Sequence, residues 1–258
     1  MKERDLAIIF LWPLLILIAV FFLDLKISYF ASLLLIFGIP SFYLSIKNKG
    51  KVKKVALFSI FVSIPIAIIV ELIAFGEKAW SVPESIFPYR FFGFSPLENY
   101  IWQFLTVYFI LIFYEHFCNM KFQPKISSRI KVMNYVLYSI ALLAILIFII
   151  SPSLLNANYS YIWFGVIFLI IPTVSFLVKY PSFFLPFIKV QVFFFYIHMI
   201  FELVGLNLNH WVYTGSNFIG WFSLSGLRMP IEELFFVMII GAFATCSYYE
   251  LFTNKSLK

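Results

Sequence analysis

The sequence predicts an all-α integral membrane protein of about eight transmembrane helices, arranged as two tandem, parallel four-helix repeats. Three observations carry that expectation. The 258-residue chain is 63% hydrophobic and only 12% charged, a balance foreign to soluble domains. Its apolar runs approach the roughly 20 residues that a spanning helix needs. Distinctive residues also recur in the same order in the two halves, at offsets of 131 to 135.

The expected spans are 6–23, 27–46, 55–75, 97–117, 132–150, 161–178, 189–206 and 230–251. The first follows KERD and has no small-residue cleavage site after it, so it reads as a retained helix rather than a signal peptide. The sixth is short and fits a tilted or partly interfacial helix. If the spans alternate, 15 of the 19 lysines and arginines fall on one side, including those at 47–54 and at 121–131. The positive-inside rule places that side, with both termini, in the cytoplasm of a multi-pass cell-membrane protein. The net charge of +7 therefore reports topology, not nucleic-acid binding. Cys118 and Cys246 are too few and too isolated for a disulfide framework or a metal cluster.

The repeat is visible in four features. Glu71 and Trp80 in ELIAFGEKAW match Glu202 and Trp211 in ELVGLNLNHW. SPLEN at 95–99 matches MPIEE at 229–233, and YEHF at 114–117 matches YELF at 249–252. Upstream, Pro40 matches Pro172. The expected units are 1–120 and 132–258, joined by a basic cytoplasmic linker at 121–131. Four helices per unit is an even number, so the halves run parallel rather than inverted.

Five acids fall at one depth, near the non-cytoplasmic face. Glu71 and Glu202 end the third and seventh helices, where the helix dipole disfavours an anion. Glu98, Glu232 and Glu233 open the fourth and eighth. Proline then glutamate also suits an ordinary helix start, and Ser95-Pro96-Leu97-Glu98 reads as a capping box. Glu232 and Glu233 point about 100° apart on a helix and cannot share a partner. Acids repeated at a membrane boundary are functional candidates. Burial and a neighbouring carboxyl raise a carboxyl pKa, so one acid can donate a proton while another accepts one.

Aromatic residues cluster around these acids, among them Trp80, Trp102, Trp211 and Phe236. Aromatic faces attract cations when water is excluded. Acids with aromatic walls suit protonation of a double bond, shelter of a carbocation and loss of a proton elsewhere. Tryptophan and tyrosine also mark membrane interfaces in general. His198 lies four residues before Glu202, on the same helix face, and is placed to hydrogen-bond and tune it. The first half has Ala67 at the matching place, which favours an interhelical histidine with no catalytic part. Aspartate occurs only at Asp5 and Asp24, so no aspartate-rich magnesium motif exists. There is no G-x-G-x-x-G, and three histidines do not make a di-iron site. No cofactor or metal is expected.

This arrangement resembles the integral-membrane lycopene cyclases, the heterodimer type of bacteria and its fused versions. The likeness covers nearly the whole chain and rests on PIEE at 230–233 and its twin PLEN at 96–99. It implies a redox-neutral, proton-initiated cyclisation of an acyclic carotenoid, with Glu98, Glu232 and Glu233 as motif acids and a lipophilic carotenoid as substrate. Asn99 departs from the pattern, since an amide is neither a Brønsted acid nor a strong base: either the first half is a supporting one, with one-ended cyclisation as the consequence, or Glu98 and Glu71 alone suffice there. The expected catalytic set is Glu232, Glu233, Glu98, Glu202 and Glu71. Trp80, Trp211, Trp102, Phe236, His198 and Asn99 are expected around substrate or cation. A cyclase or isomerase of another isoprenoid, and a non-enzymatic lipid carrier, are the alternatives.

Overall fold

The computed structural model describes residues 2–118, 127–156 and 158–254. The basic linker expected at 121–131 lies partly outside these, as do the last four residues with Lys255 and Lys258. Eight long helices follow one another: α1 Lys2–Phe22, α2 Tyr29–Lys47, α3 Lys49–Glu77, α4 Leu97–Phe117, α5 Arg129–Ile150, α6 Ser160–Lys179, α7 Pro181–Asn207 and α8 Glu233–Thr253. Among the described residues, all but α4 are long and apolar enough to cross a membrane. The chain is thus an all-α, multi-pass membrane protein.

α4 has the length, at 21 residues, but Glu98, Asn99, Gln103, Thr106, Glu115 and His116 dilute its apolar character. Its place explains the polarity. Every residue from Thr106 to His116 is buried, so α4 meets other helices rather than lipid along that stretch. The outer helices show the reverse: α5 exposes Val132, Tyr135, Leu142, Leu146 and Ile150.

One boundary differs from expectation. The lysine-rich stretch 47–54 is not a loop: only Asn48 separates α2 from α3, which begins at Lys49 and runs for 29 residues. Lysine is a good helix former, and its long stem lets the charge leave an apolar surface.

Two helices carry the same irregularity. α2 widens to π geometry at Leu34–Gly38, just before Pro40, and α6 does so at Gly165–Ile170, just before Pro172. A proline inside a helix lacks an N–H and clashes with the carbonyl four residues earlier, and a π-bulge absorbs both. For Pro172 that carbonyl is Phe168 O, which accepts the Tyr248 hydroxyl at 2.7 Å. α8 is π-helical from Glu233 to Ile240 without any proline. There the side chain of Gln191 on α7 takes up the freed backbone groups. Its oxygen accepts Ala242 N–H and Phe243 N–H, both at 3.1 Å, and its amide donates to Met238 O.

The helices are joined at one end by two aromatic loops that fold alike. Strands β1 Trp80–Ser81 and β4 Val212–Tyr213 pair antiparallel, linking the loop after α3 to the loop after α7. Each loop then makes a hairpin, β2 Arg90–Phe91 with β3 Ser95–Pro96, and β5 Trp221–Leu224 with β6 Leu227–Pro230. The turns contain Phe92-Gly93 and Ser225-Gly226, and both pairs have φ of 54° and 81°. That left-handed geometry is what tight hairpins demand and what glycine adopts freely. The hairpins deliver Glu98 and Glu232 to the starts of α4 and α8.

The opposite end is held by reciprocal bonds between α4 and α8. Tyr114 donates to Glu250 at 2.8 Å, and Tyr249 donates to Glu115 at 2.6 Å. Lys51 pairs with Glu115 at 3.4 Å. Nearby, Asp5 accepts from Tyr43 at 2.6 Å and meets His116 at 3.2 Å. These contacts put the starts of α1 and α3 and the ends of α2, α4 and α8 at one level.

Candidate functional site

A cavity of about 410 Å³ runs through the bundle between α3, α4, α5, α6, α7 and α8. Its lining extends from Phe58 to Glu77 on α3 and from Glu233 to Phe252 on α8. Nineteen helical steps rise roughly 28 Å, close to the roughly 30 Å hydrocarbon core of a bilayer. The walls are apolar for most of that length. The polar residues gather at the end where the aromatic loops close over the helices.

Glu71, Glu202 and Glu233 all line this cavity, with Asn99 beside them. Glu202 Oε1 accepts two bonds, from Tyr213 OH at 2.9 Å and from Trp211 Nε1 at 3.2 Å. Glu233 Oε2 accepts the Tyr161 hydroxyl. Glu71 Oε1 accepts the Asn99 amide at 2.8 Å, and Asn99 Oδ1 in turn accepts Tyr29 OH at 3.1 Å. Tyr29 and Tyr161 thus play the same part at the starts of α2 and α6: each hydroxyl bonds the residue after the motif glutamate. Tyr213, on the loop, is half-buried, and desolvation first and the neighbouring Glu202 and Glu233 next push its phenol well above the usual range, so it stays a donor.

Glu98 and Glu232 are elsewhere. Both are buried, but neither lines the cavity. Glu98 accepts Ser85 Oγ on both oxygens, at 2.9 and 2.8 Å, and Ile86 N–H at 3.0 Å. Glu232 accepts Ile219 N–H at 2.6 Å. Each carboxylate ties the first turn of its helix to the preceding aromatic loop. Adjacent positions in the motif therefore do different work: the first faces the loop and the second faces the cavity, as their 100° separation on a helix requires.

The six residues expected around substrate or cation, Trp80, Trp102, Trp211, Phe236, His198 and Asn99, all line the cavity. The rings interlock across the halves. Tyr29 meets Trp211 edge-on at 5.5 Å between centroids, while Tyr161 meets Trp80 at 5.9 Å. Other aromatics near this end point away: Tyr89 and Trp221 of the loops and Phe235 of α8 are exposed. Phe92 and Phe94 pack with Phe148. The expected bond between His198 and Glu202 is not among those formed by the described residues. His198 Nδ1 instead donates to Phe194 O at 2.8 Å. His210, on the loop, meets Ser32 Oγ at 2.9 Å, and burial lowers its pKa to about 4, which keeps it neutral at physiological pH. Among the described residues no cluster of His, Cys, Asp or Glu is placed to hold a metal ion.

Two glycines make room for the rings. A Cβ on Gly205 would overlap the Trp211 ring, and one on Gly165 would overlap Phe236. Gly205→Ala is expected to push the indole from its place above the helix and break its bond to Glu202. Overpacking of this kind costs about 1–3 kcal/mol, so the thermal midpoint in detergent should fall. An unchanged midpoint together with full activity would show that Trp211 does not need this contact.

Tyr29, Tyr161 and Gln191 are site or support residues that sequence reasoning did not single out. The signal was present for Tyr29 and Tyr161, which match across the halves at an offset of 132, each 11 residues before its shared proline, Pro40 or Pro172. Compared with protein families, with curated proteins and with solved structures, the chain matches none.

Proposed function

We propose that the protein is a carotenoid (lycopene-type) cyclase, working at one composite site between two tandem four-helix repeats. The observation that carries the reading is the pairing of Glu202 and Glu233 at the aromatic end of one long apolar cavity. The repeat is supported by the matching π-bulges, hairpins, tyrosines and reciprocal Tyr–Glu bonds of the two halves. Under this reading α4 is the eighth span, and the end rich in lysine and arginine, with both termini, faces the cytoplasm.

The chemistry is one proton in and one proton out. Glu233 gives its proton to the terminal double bond of the acyclic polyene. The cation on the tertiary carbon is attacked by a neighbouring double bond, closing the ring. The ring cation then loses a proton from an adjacent carbon to Glu202. That residue receives two hydrogen-bond donors and is suited to carry negative charge beforehand. The faces of Trp80, Trp211 and Phe236 shelter the cation. Nothing is oxidised or reduced, and the site is reset when Glu202 releases its proton to solvent and Glu233 takes one from solvent. Glu71 and Asn99 position, and Glu98 and Glu232 hold the loops.

Expression in a lycopene-making bacterium tests the reading. Chromatography of the pigments is expected to show ring-containing products. Unchanged lycopene, with the protein confirmed in the membrane, would overturn it in favour of another isoprenoid cyclase or isomerase, or of a lipid carrier.

A further inference from the structure

His198 is 3% exposed, lines the cavity, and has one ring nitrogen without a partner among the described residues. Its Nδ1 faces Phe194 O, which only accepts, so Nδ1 carries the hydrogen. In the neutral ring Nε2 is then a bare acceptor. A buried acceptor left unpaired is costly, and such groups in native proteins point to a missing partner. Two more polar atoms on the same cavity wall are also unpaired: Trp102 Nε1, a donor, and Thr106 Oγ1, which donates or accepts.

Thr106 and His198 sit near one depth, and Trp102 lies one turn nearer the loops. Trp102 and Thr106 are one turn apart on the same face of α4. Across from α4, the antiparallel α7 brings Phe194 to Phe109 at 4.9 Å between centroids. Rising one turn from that contact reaches Thr106 on α4 and His198 on α7. His198 is four residues, or about 6 Å along the axis, deeper than Glu202. The wall between is ring and aliphatic: Phe37 and Phe194 flank the imidazole.

An acceptor and a donor facing one apolar space are complementary to a hydroxyl group. We propose that the cavity takes an oxygenated isoprenoid, an alcohol, whose hydroxyl donates to His198 Nε2 and accepts from Trp102 Nε1 or Thr106 Oγ1. A plain hydrocarbon leaves all three unpaired. The inference rests on reading this cavity as the lipid site, but not on cyclisation.

The test is equilibrium binding to the purified full-length protein, read by quenching of the cavity tryptophans. The probes are geranylgeraniol and the hydrocarbon of the same skeleton without the hydroxyl. The wild type is expected to bind the alcohol roughly tenfold tighter. His198→Leu should abolish that preference, with its circular dichroism and thermal midpoint in detergent showing that the variant is folded. His198→Gln keeps an acceptor and should keep much of the preference. Equal affinities in the wild type would mean that a retained water satisfies the wall, and would overturn the proposal. So would a preference that survives in His198→Leu. Because no turnover is involved, either result leaves the cyclase reading standing, and absence of ring formation leaves this one standing.

Discussion

Glu233→Gln is expected to lower ring formation by about 100-fold or more, the usual worth of a general acid, while the protein accumulates normally. Glutamine keeps the size and the oxygen that accepts from Tyr161, but it has no proton to give. The neighbouring residue supplies the control. Glu232→Gln retains an oxygen for Ile219 N–H and should keep most activity. Glu232→Ala removes that anchor and should cost about 1–3 kcal/mol of stability with little change in activity per folded molecule. Pigment yield, normalised to protein in the membrane, separates the two residues. If Glu232→Gln proves the inactive one and Glu233→Gln the active one, the division of the motif into loop anchor and cavity acid is wrong.

Gln191→Leu is expected to be the most damaging single change away from the acids. Gln191 satisfies Ala242 N–H, Phe243 N–H and Met238 O, the backbone groups released by the π-helical start of α8. Leucine fills similar space but leaves all three unpaired in an apolar bundle. At about 1–3 kcal/mol each, the loss is several kcal/mol and a large share of the stability of an ordinary domain. Relaxing the π segment to a regular helix would also turn Glu233 by about 100° relative to the lower half of α8, away from Tyr161 and the cavity. The thermal midpoint in detergent should drop sharply, and the surviving protein should be inactive. A midpoint equal to that of the wild type would show that the π segment does not depend on Gln191.

Much of this was legible from particular residues. The apolar runs locate the helices, and the repeated Glu–Trp and Pro–x–Glu spacings point to the end of the bundle where the cavity acids lie. The lysines at 47–54 hid a helix, because charge suggests a loop while lysine itself is a good helix former. The split between Glu232 and Glu233 was half legible: their angular separation demands different partners, but only the packed loop shows that Ile219 takes one and the cavity the other. Tyr29 and Tyr161 match across the halves, but only the fold brings their hydroxyls to Asn99 and Glu233. Gln191 read as one polar residue in an apolar run. An amide buried at membrane depth needs partners, yet sequence gives no hint that they are the backbone of a helix 47 residues away.

Asn99 also takes a clearer meaning. It occupies in the first half the place that Glu233 has in the second, and it holds Glu71 through its amide. Both sets of groups line the same cavity, so the proposed cyclase has one site with Glu202 and Glu233 as its acid pair rather than two sites of equal standing.

Proton-initiated cyclisation at that pair is tested most directly by solvent isotope. Cells making lycopene and this protein are grown in D₂O after the lycopene has formed in ordinary water, and the ring-containing product is weighed by mass spectrometry. The account predicts one deuterium for each ring closed, because the proton added comes from an exchangeable carboxyl and the proton lost comes from the substrate. Rings formed without deuterium would contradict it.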